Sequence, residues 1–170
     1  MKIRIIGIGK IKEQYLRDGI NEYINRLKPY SQVEIIEVND EPIVDNPTPG
    51  EITKAINNEG KRVLKLLKDS DYVIALDLVK KQPNSLEFAD FLNKKFILGG
   101  SYITFVIGGS YGLSDELKKR SNDAVCFSNL TFTHQMIRLI LLEQIYRAFK
   151  INRNETYHKW TLMKNFNNLN

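Results

Sequence analysis

The sequence holds a single cysteine, Cys126, and only two histidines, His134 and His158. One thiol cannot close an internal disulfide, and metal centres built from Cys and His clusters need more ligands than these three residues supply. A reducing, cytoplasmic setting and no metal are therefore expected. Long hydrophobic runs are also missing. Residues 137–142, broken by Arg138, fall far short of the roughly 20 apolar residues a membrane span needs. The opening Met1-Lys2-Ile3-Arg4-Ile5-Ile6 lacks the apolar stretch and small-residue cleavage site of a secretory signal, so neither export nor a membrane partner is expected. Internal repeats and low-complexity runs are absent too.

What is present suits one globular domain: 170 residues, 42% hydrophobic and 26% charged, enough to bury a real core. The net charge of +5 biases the surface mildly toward polyanions and is weak evidence for RNA by itself.

Residues 2–8 read as a strand with charges alternating outward. Ile11, Tyr15, Leu16, Ile20, Tyr23, Ile24 and Leu27 then recur at helical spacing until Pro29 stops them. Residues 33–38 form a second strand, and residues 39–50, acidic and carrying Pro42, Pro47 and Pro49, form a mobile loop. A second helix follows on Ile52, Ala55, Ile56, Val63, Leu64 and Leu67, then a strand over 72–76 and a helix around 86–98. A strand over 102–107 runs into Gly108-Gly109, a short helix covers 113–120, a strand covers 124–127, and a long helix over 135–152 closes the chain. Strands alternating with helices predict an α/β sandwich with a largely parallel sheet and helices on both faces. The closing helix is apolar around much of its circumference and needs cover on more than one side, from the sheet, from a second subunit, or from both.

Three segments could carry chemistry. The strand ending in Gly108-Gly109-Ser110-Tyr111-Gly112 lies where open α/β sheets bind ligands, beyond the carboxyl ends of strands, although a tight turn needs glycine whatever binds there. Residues 127–135 run from a strand to a helix start with hydroxyl and amide side chains able to cap backbone groups, and His134 there is either a turn residue or a usable acid or base. On the closing helix Glu143 precedes Arg147 by four residues and supplies an ion-pair partner, whereas Arg138 has none so obvious. Tyr157-His158-Lys159-Trp160 offers stacking surface and positive charge suited to bases and phosphates. Gly7 and Gly9, with Glu37 ending the second strand, match only half of a nicotinamide-binding fingerprint. The third glycine is replaced by Lys12, which favours an ordinary turn.

Taken in order, Lys2-Ile3 with Gly7-Ile8-Gly9-Lys10, residues 105–113, Thr131-Phe132 with His134-Gln135, residues 142–148 and Tyr157-His158-Lys159 carry an end-to-end resemblance. The chain resembles the large-subunit ribosomal RNA pseudouridine N3-methyltransferase family, a minimal branch of the knotted SPOUT superfamily. The resemblance implies a single SPOUT domain over residues 1–160, with a polar tail over 161–170, and a deep trefoil knot near the C-terminus, which ordinary connection rules disfavour; the polar composition of residues 165–170 itself predicts fraying. It implies an S-adenosylmethionine site built from Leu76, Gly108, Phe127, Ser128, Asn129, Leu130, Thr131 and Phe132. It also implies a homodimer around the closing helix, in which each subunit completes the other's pocket. Thr133 stands where the family has Pro, and Asn154 and Thr156 stand where it has Gly and Pro.

The activity so implied is methylation of N3 of a pseudouridine in 23S ribosomal RNA on the assembled ribosome, by direct displacement without a covalent enzyme intermediate. His134, Arg138 and His158 are the candidates for catalysis, and Arg147, Tyr157 and Lys159 for contact with the RNA. A non-catalytic ribosome- or RNA-binding dimer that keeps the fold is the alternative. A nicotinamide-dependent oxidoreductase on Gly7 and Gly9 is a third reading.

Overall fold

The computed structural model describes residues 1–78 and 82–159. Trp160 and the tail over 161–170 lie outside them. In chain order the elements are β1 (Lys2–Ile8), α1 (Gln14–Leu27), β2 (Gln32–Val38), α2 (Pro49–Leu64), β3 (Tyr72–Leu76), α3 (Ser85–Leu98), β4 (Tyr102–Ile107), α4 (Asp115–Arg120), β5 (Asp123–Val125) and α5 (Met136–Asn152). The five strands form one sheet in the order β2-β1-β4-β3-β5, and every pairing is parallel.

The period of two along the strands sorts the core into two layers. Ile3 and Ile5 of β1, with Phe105 and Ile107 of β4, face α1, α3 and α5. Ile6 and Ile8, with Val106 and Val73, face the side covered by Val63 of α2 and Leu117 of α4. Helix α5 packs against both α1 and α3 and buries Leu141, Leu142, Ile145 and Phe149 on the sheet, while Ile137, Leu139, Ile140 and Tyr146 stay half-buried.

The loop expected over residues 39–50 ends early, because α2 begins at Pro49 and takes in Gly50. Thr48 caps it: the hydroxyl accepts from Glu51 N–H and the Glu51 carboxylate accepts from Thr48 N–H. Pro at the first helical position costs no hydrogen bond and comes with its φ preset. The loop's start is tied rather than free, with Arg62 donating to the Asn39 carbonyl and pairing with Glu41. Strand β5 stops at Val125, two residues before the expected end, and Phe127 belongs to the following loop. Asn154 adopts φ +55°, a left-handed conformation that Asn tolerates better than most residues, so the chain turns there without a glycine.

Register decides what comes together at the carboxyl edge. Leu76 pairs with Ile107 on one side and with Val125 on the other. Three loops, those after β3, β4 and β5, therefore leave the sheet side by side.

Candidate active site

These three loops enclose a cleft of about 770 Å³. Leu76, Gly108, Phe127, Ser128, Thr131 and Phe132 line it, together with Asp77, Tyr111 and His134. Asn129 and Leu130 do not line it, and both are exposed. The cause is local: the Ser128 hydroxyl accepts from Leu130 N–H at 2.9 Å, a side-chain turn that throws the loop's tip outward. Asp77, which no sequence motif singles out, lies one residue past β3 and pairs with Lys118 at 3.3 Å.

The wall after β4 is backbone. A Cβ built on Gly108 would lie 2.6 Å from the Gly112 backbone carbon and oxygen, and Gly112 itself has φ +90°. Gly112 N–H closes the turn on the Gly109 carbonyl at 3.2 Å. A side chain at Gly108 is sterically excluded, and any ligand in the cleft meets peptide groups at close range.

Arg138 does not reach the cleft. It is fully buried and donates through Nη2 to the carbonyls of Ile8 and Gly9, both at 2.7 Å, and through Nη1 to Glu37 Oε1 at 3.3 Å. The same Glu37 oxygen accepts from Ile11 N–H at 2.8 Å. Gly7 and Gly9 are therefore more than an ordinary turn. A Cβ on Gly7 would sit 2.5 Å from Arg138 Nε, and one on Gly9 would sit 2.8 Å from His134 Nε2. Gly7 in β1 and Gly9 just after it leave room for two side chains of the closing segment, and Glu37, which completed the half fingerprint with them, is the partner of that arginine.

His134 sits between this strut and the cleft. Burial, with the Arg138 charge adding to it, holds its imidazole below the usual range, so the neutral ring dominates at pH 7 and can accept a proton. Thr133 caps α5 by accepting from Met136 N–H at 3.2 Å, and Gln135 Oε1 accepts from Lys12 N–H at 2.6 Å.

A second constellation gathers on α5 and the segment after it. Arg147 pairs with Glu143, lies 4.8 Å over the Tyr157 ring and meets His158 Nδ1 at 3.2 Å. Arginine can only donate, so His158 Nδ1 is the acceptor and its ring proton lies on Nε2. Tyr157 donates to Glu143 Oε1 at 3.1 Å. Its burial, together with Tyr23 and Glu143, pushes the phenol far up from its usual value, so it stays protonated. His158 lines a smaller cleft of about 500 Å³ that shares Phe127 and Phe132 with the larger one. Lys159 is exposed and lines neither. Among the described residues no cluster could hold a metal ion and no helix is long and apolar enough to cross a membrane.

A parallel α/β sheet with a glycine turn and a polar loop meeting at its carboxyl edge defines a ligand-binding class, and the family comparison makes it specific. The family described as "Predicted SPOUT methyltransferase" matches residues 1–158. Proteins named ribosomal RNA large subunit methyltransferase H from Carboxydothermus hydrogenoformans and Bacillus thuringiensis are 51% and 50% identical over 159 residues, which span 94% of this chain and 100% of each relative. A solved tRNA methyltransferase from Aquifex aeolicus overlaps 86% of this chain and 69% of its own at 13% identity and a TM-score of 0.49, too distant to carry an argument. The chain belongs to the SPOUT methyltransferase family, in the branch of the ribosomal RNA large subunit methyltransferases H.

Proposed function

We propose that the protein transfers a methyl group from S-adenosylmethionine to N3 of a pseudouridine in large-subunit ribosomal RNA, acting on the assembled ribosome in the cytoplasm. The observation that carries this reading is the cleft at the carboxyl ends of β3, β4 and β5, in a chain that matches named rRNA methyltransferases along their whole length. The cleft fits an adenosyl cofactor: apolar walls from Leu76, Phe127 and Phe132, hydroxyls from Ser128 and Thr131, and a turn at Gly108 that presents backbone alone. Bound there, the cofactor supplies an electrophilic methyl on a sulfonium.

The chain's own task is to orient the acceptor and manage the N3 proton. His134, neutral and on the cleft wall, is the group suited to take that proton. His158, with Nδ1 already accepting from Arg147, is suited to donate from Nε2 to a base carbonyl. Arg147 and Tyr157 hold it there, and Lys159 is free to meet phosphate. Arg138 acts through the backbone of Ile8 and Gly9 and through His134. A trefoil knot around the closing segment and a homodimer complete the reading. The dimer is supported by the exposed apolar rim of the cleft, Leu78, Tyr111, Leu130 and Phe132, beside the half-buried flank of α5.

Three outcomes are expected. Calorimetric titration detects one S-adenosylmethionine site per chain on a protein that sediments as a dimer; absence of binding would favour the non-catalytic RNA-binding reading. With His134 as the base, single-turnover methyl transfer at saturating S-adenosylmethionine stays level from pH 8 down to about 6.5, the ordinary imidazole value, and declines only below it. His134→Ala slows the reaction about 10²–10⁴-fold, and an acid limb unchanged in that variant would exclude the role. In Arg147→Met, nitrogen NMR should find the His158 proton redistributed between the two ring positions, with transfer slowed at least about tenfold; an unaltered tautomer would contradict the contact.

A further inference from the structure

Beneath the cofactor cleft lies a carboxylate that the reaction above does not use. Glu59, on α2, is 5% exposed, although glutamates are rarely buried without a purpose or a partner. Its Oε1 accepts from Glu41 N–H at 2.9 Å, in the segment leaving β2. Its other face meets the glycine turn. A Cβ built on Gly109 would lie 3.1 Å from Glu59 Oε2 and 3.4 Å from Oε1, with Ile8 Cγ2 also at 3.1 Å. The next residue, Gly60, admits the Ser114 side chain so closely that a Cβ there would overlap it, which draws α2 onto the start of α4 just beyond the turn. One buried carboxyl therefore touches both the 41 segment and the underside of the wall at 108–112.

We infer that Glu59 is a positioning residue of the cofactor site, its carboxyl bracing the Gly108–Gly112 turn from below and tying it to the segment that leaves β2. The inference rests on the reading of that turn as the cofactor wall. The charged groups around it are acidic on the β2 side, Asp40 and Glu41, with Arg62 of α2 engaged by Glu41 and Asn39. Burial, with Asp40 adding repulsion, pushes the Glu59 carboxyl up to about 7, so its charge changes across neutral pH. The protonated form keeps the Glu41 bond and relieves the repulsion; the ionised form strains the brace. Cofactor affinity is accordingly higher at pH 6 than at pH 8, and Glu59→Gln, which mimics the protonated form, removes that difference.

The test pairs two measurements on the full chain. Amide hydrogen exchange without ligand compares native protein, Glu59→Ala and Glu59→Gln. The Ala variant should speed exchange at residues 108–112 at least tenfold while β1 and β4 stay protected, and Gln should keep the native rate. Titration with S-adenosylmethionine at pH 6 and pH 8 should find affinity at least tenfold weaker in Ala, several-fold pH-dependent in native protein and level in Gln. Unchanged exchange at the turn in folded Glu59→Ala would overturn the inference. If Ala does not fold, a Gln variant as pH-dependent as native protein would do the same. Native protein with no affinity for S-adenosylmethionine would contradict the cofactor reading instead, and the exchange comparison would still decide whether Glu59 braces the turn.

Discussion

Arg138→Ala should destabilise the protein by about 3–5 kcal/mol, the range for breaking a buried charged contact. For a chain of this size that lowers the melting temperature by roughly 6–20 °C. Two bonds of 2.7 Å to backbone carbonyls and the link to Glu37 are lost together, from a side chain with no exposure to water. The cavity left behind adds to the cost. Gly7 loses the guanidinium it was shaped around, and His134 loses a neighbouring positive charge that helps keep it neutral. Arg138→Lys should recover only part of the loss, since one ammonium cannot reproduce the planar fork. Thermal melts in parallel with methyl transfer at low temperature check this. A variant as stable as native protein but inactive would instead make Arg138 a direct participant in the reaction.

Gly108→Ala should cost the fold little and the cofactor site much. The added carbon would stand 2.6 Å from the Gly112 backbone, nearer than real Cβ contacts come, and the obstacle is main chain that cannot rotate aside. The turn must open. Overpacking of this kind is worth about 1–3 kcal/mol of stability. The central pairing of β1 with β4 begins elsewhere and is retained. S-adenosylmethionine affinity should fall by two orders of magnitude or more, because a displaced wall affects every contact made across it. Calorimetric titration and a melting curve separate the two effects; native affinity in this variant would remove the turn from the site.

Local pattern made most of the scaffold legible. The outward charges of β1, the apolar strand running into Gly108-Gly109 and the spacing of α5 match the observed elements to within a residue or two, the helical spacing begun at Ile11 overreaches the start of α1 at Gln14 by three, and the strand-helix alternation predicts the parallel sheet. The start of α2 carries a signal, Thr48-Pro49-Gly50-Glu51, but three prolines in twelve residues mask it and predict uninterrupted loop. Sequence distance hid the rest. Gly7 and Arg138 lie far apart along the chain and in contact across the fold, so the glycine read as a turn and the arginine as a free catalytic group. The loop over 127–132, expected to hold the cofactor, divides in the same way: Phe127, Ser128, Thr131 and Phe132 line the cleft, while Asn129 and Leu130 are turned out by the Ser128 hydroxyl bond. Burial of Glu59 has no sequence signal of its own, for it depends on the close approach of Gly109, fifty residues further along the chain.

Transfer of radiolabelled methyl from S-adenosylmethionine to ribosomes lacking the modification tests the central claim most directly. The native chain should place label in large-subunit RNA, at N3 of a pseudouridine, and Gly108→Ala should place none. Folded, dimeric, cofactor-binding native protein that leaves such ribosomes unlabelled would contradict the account.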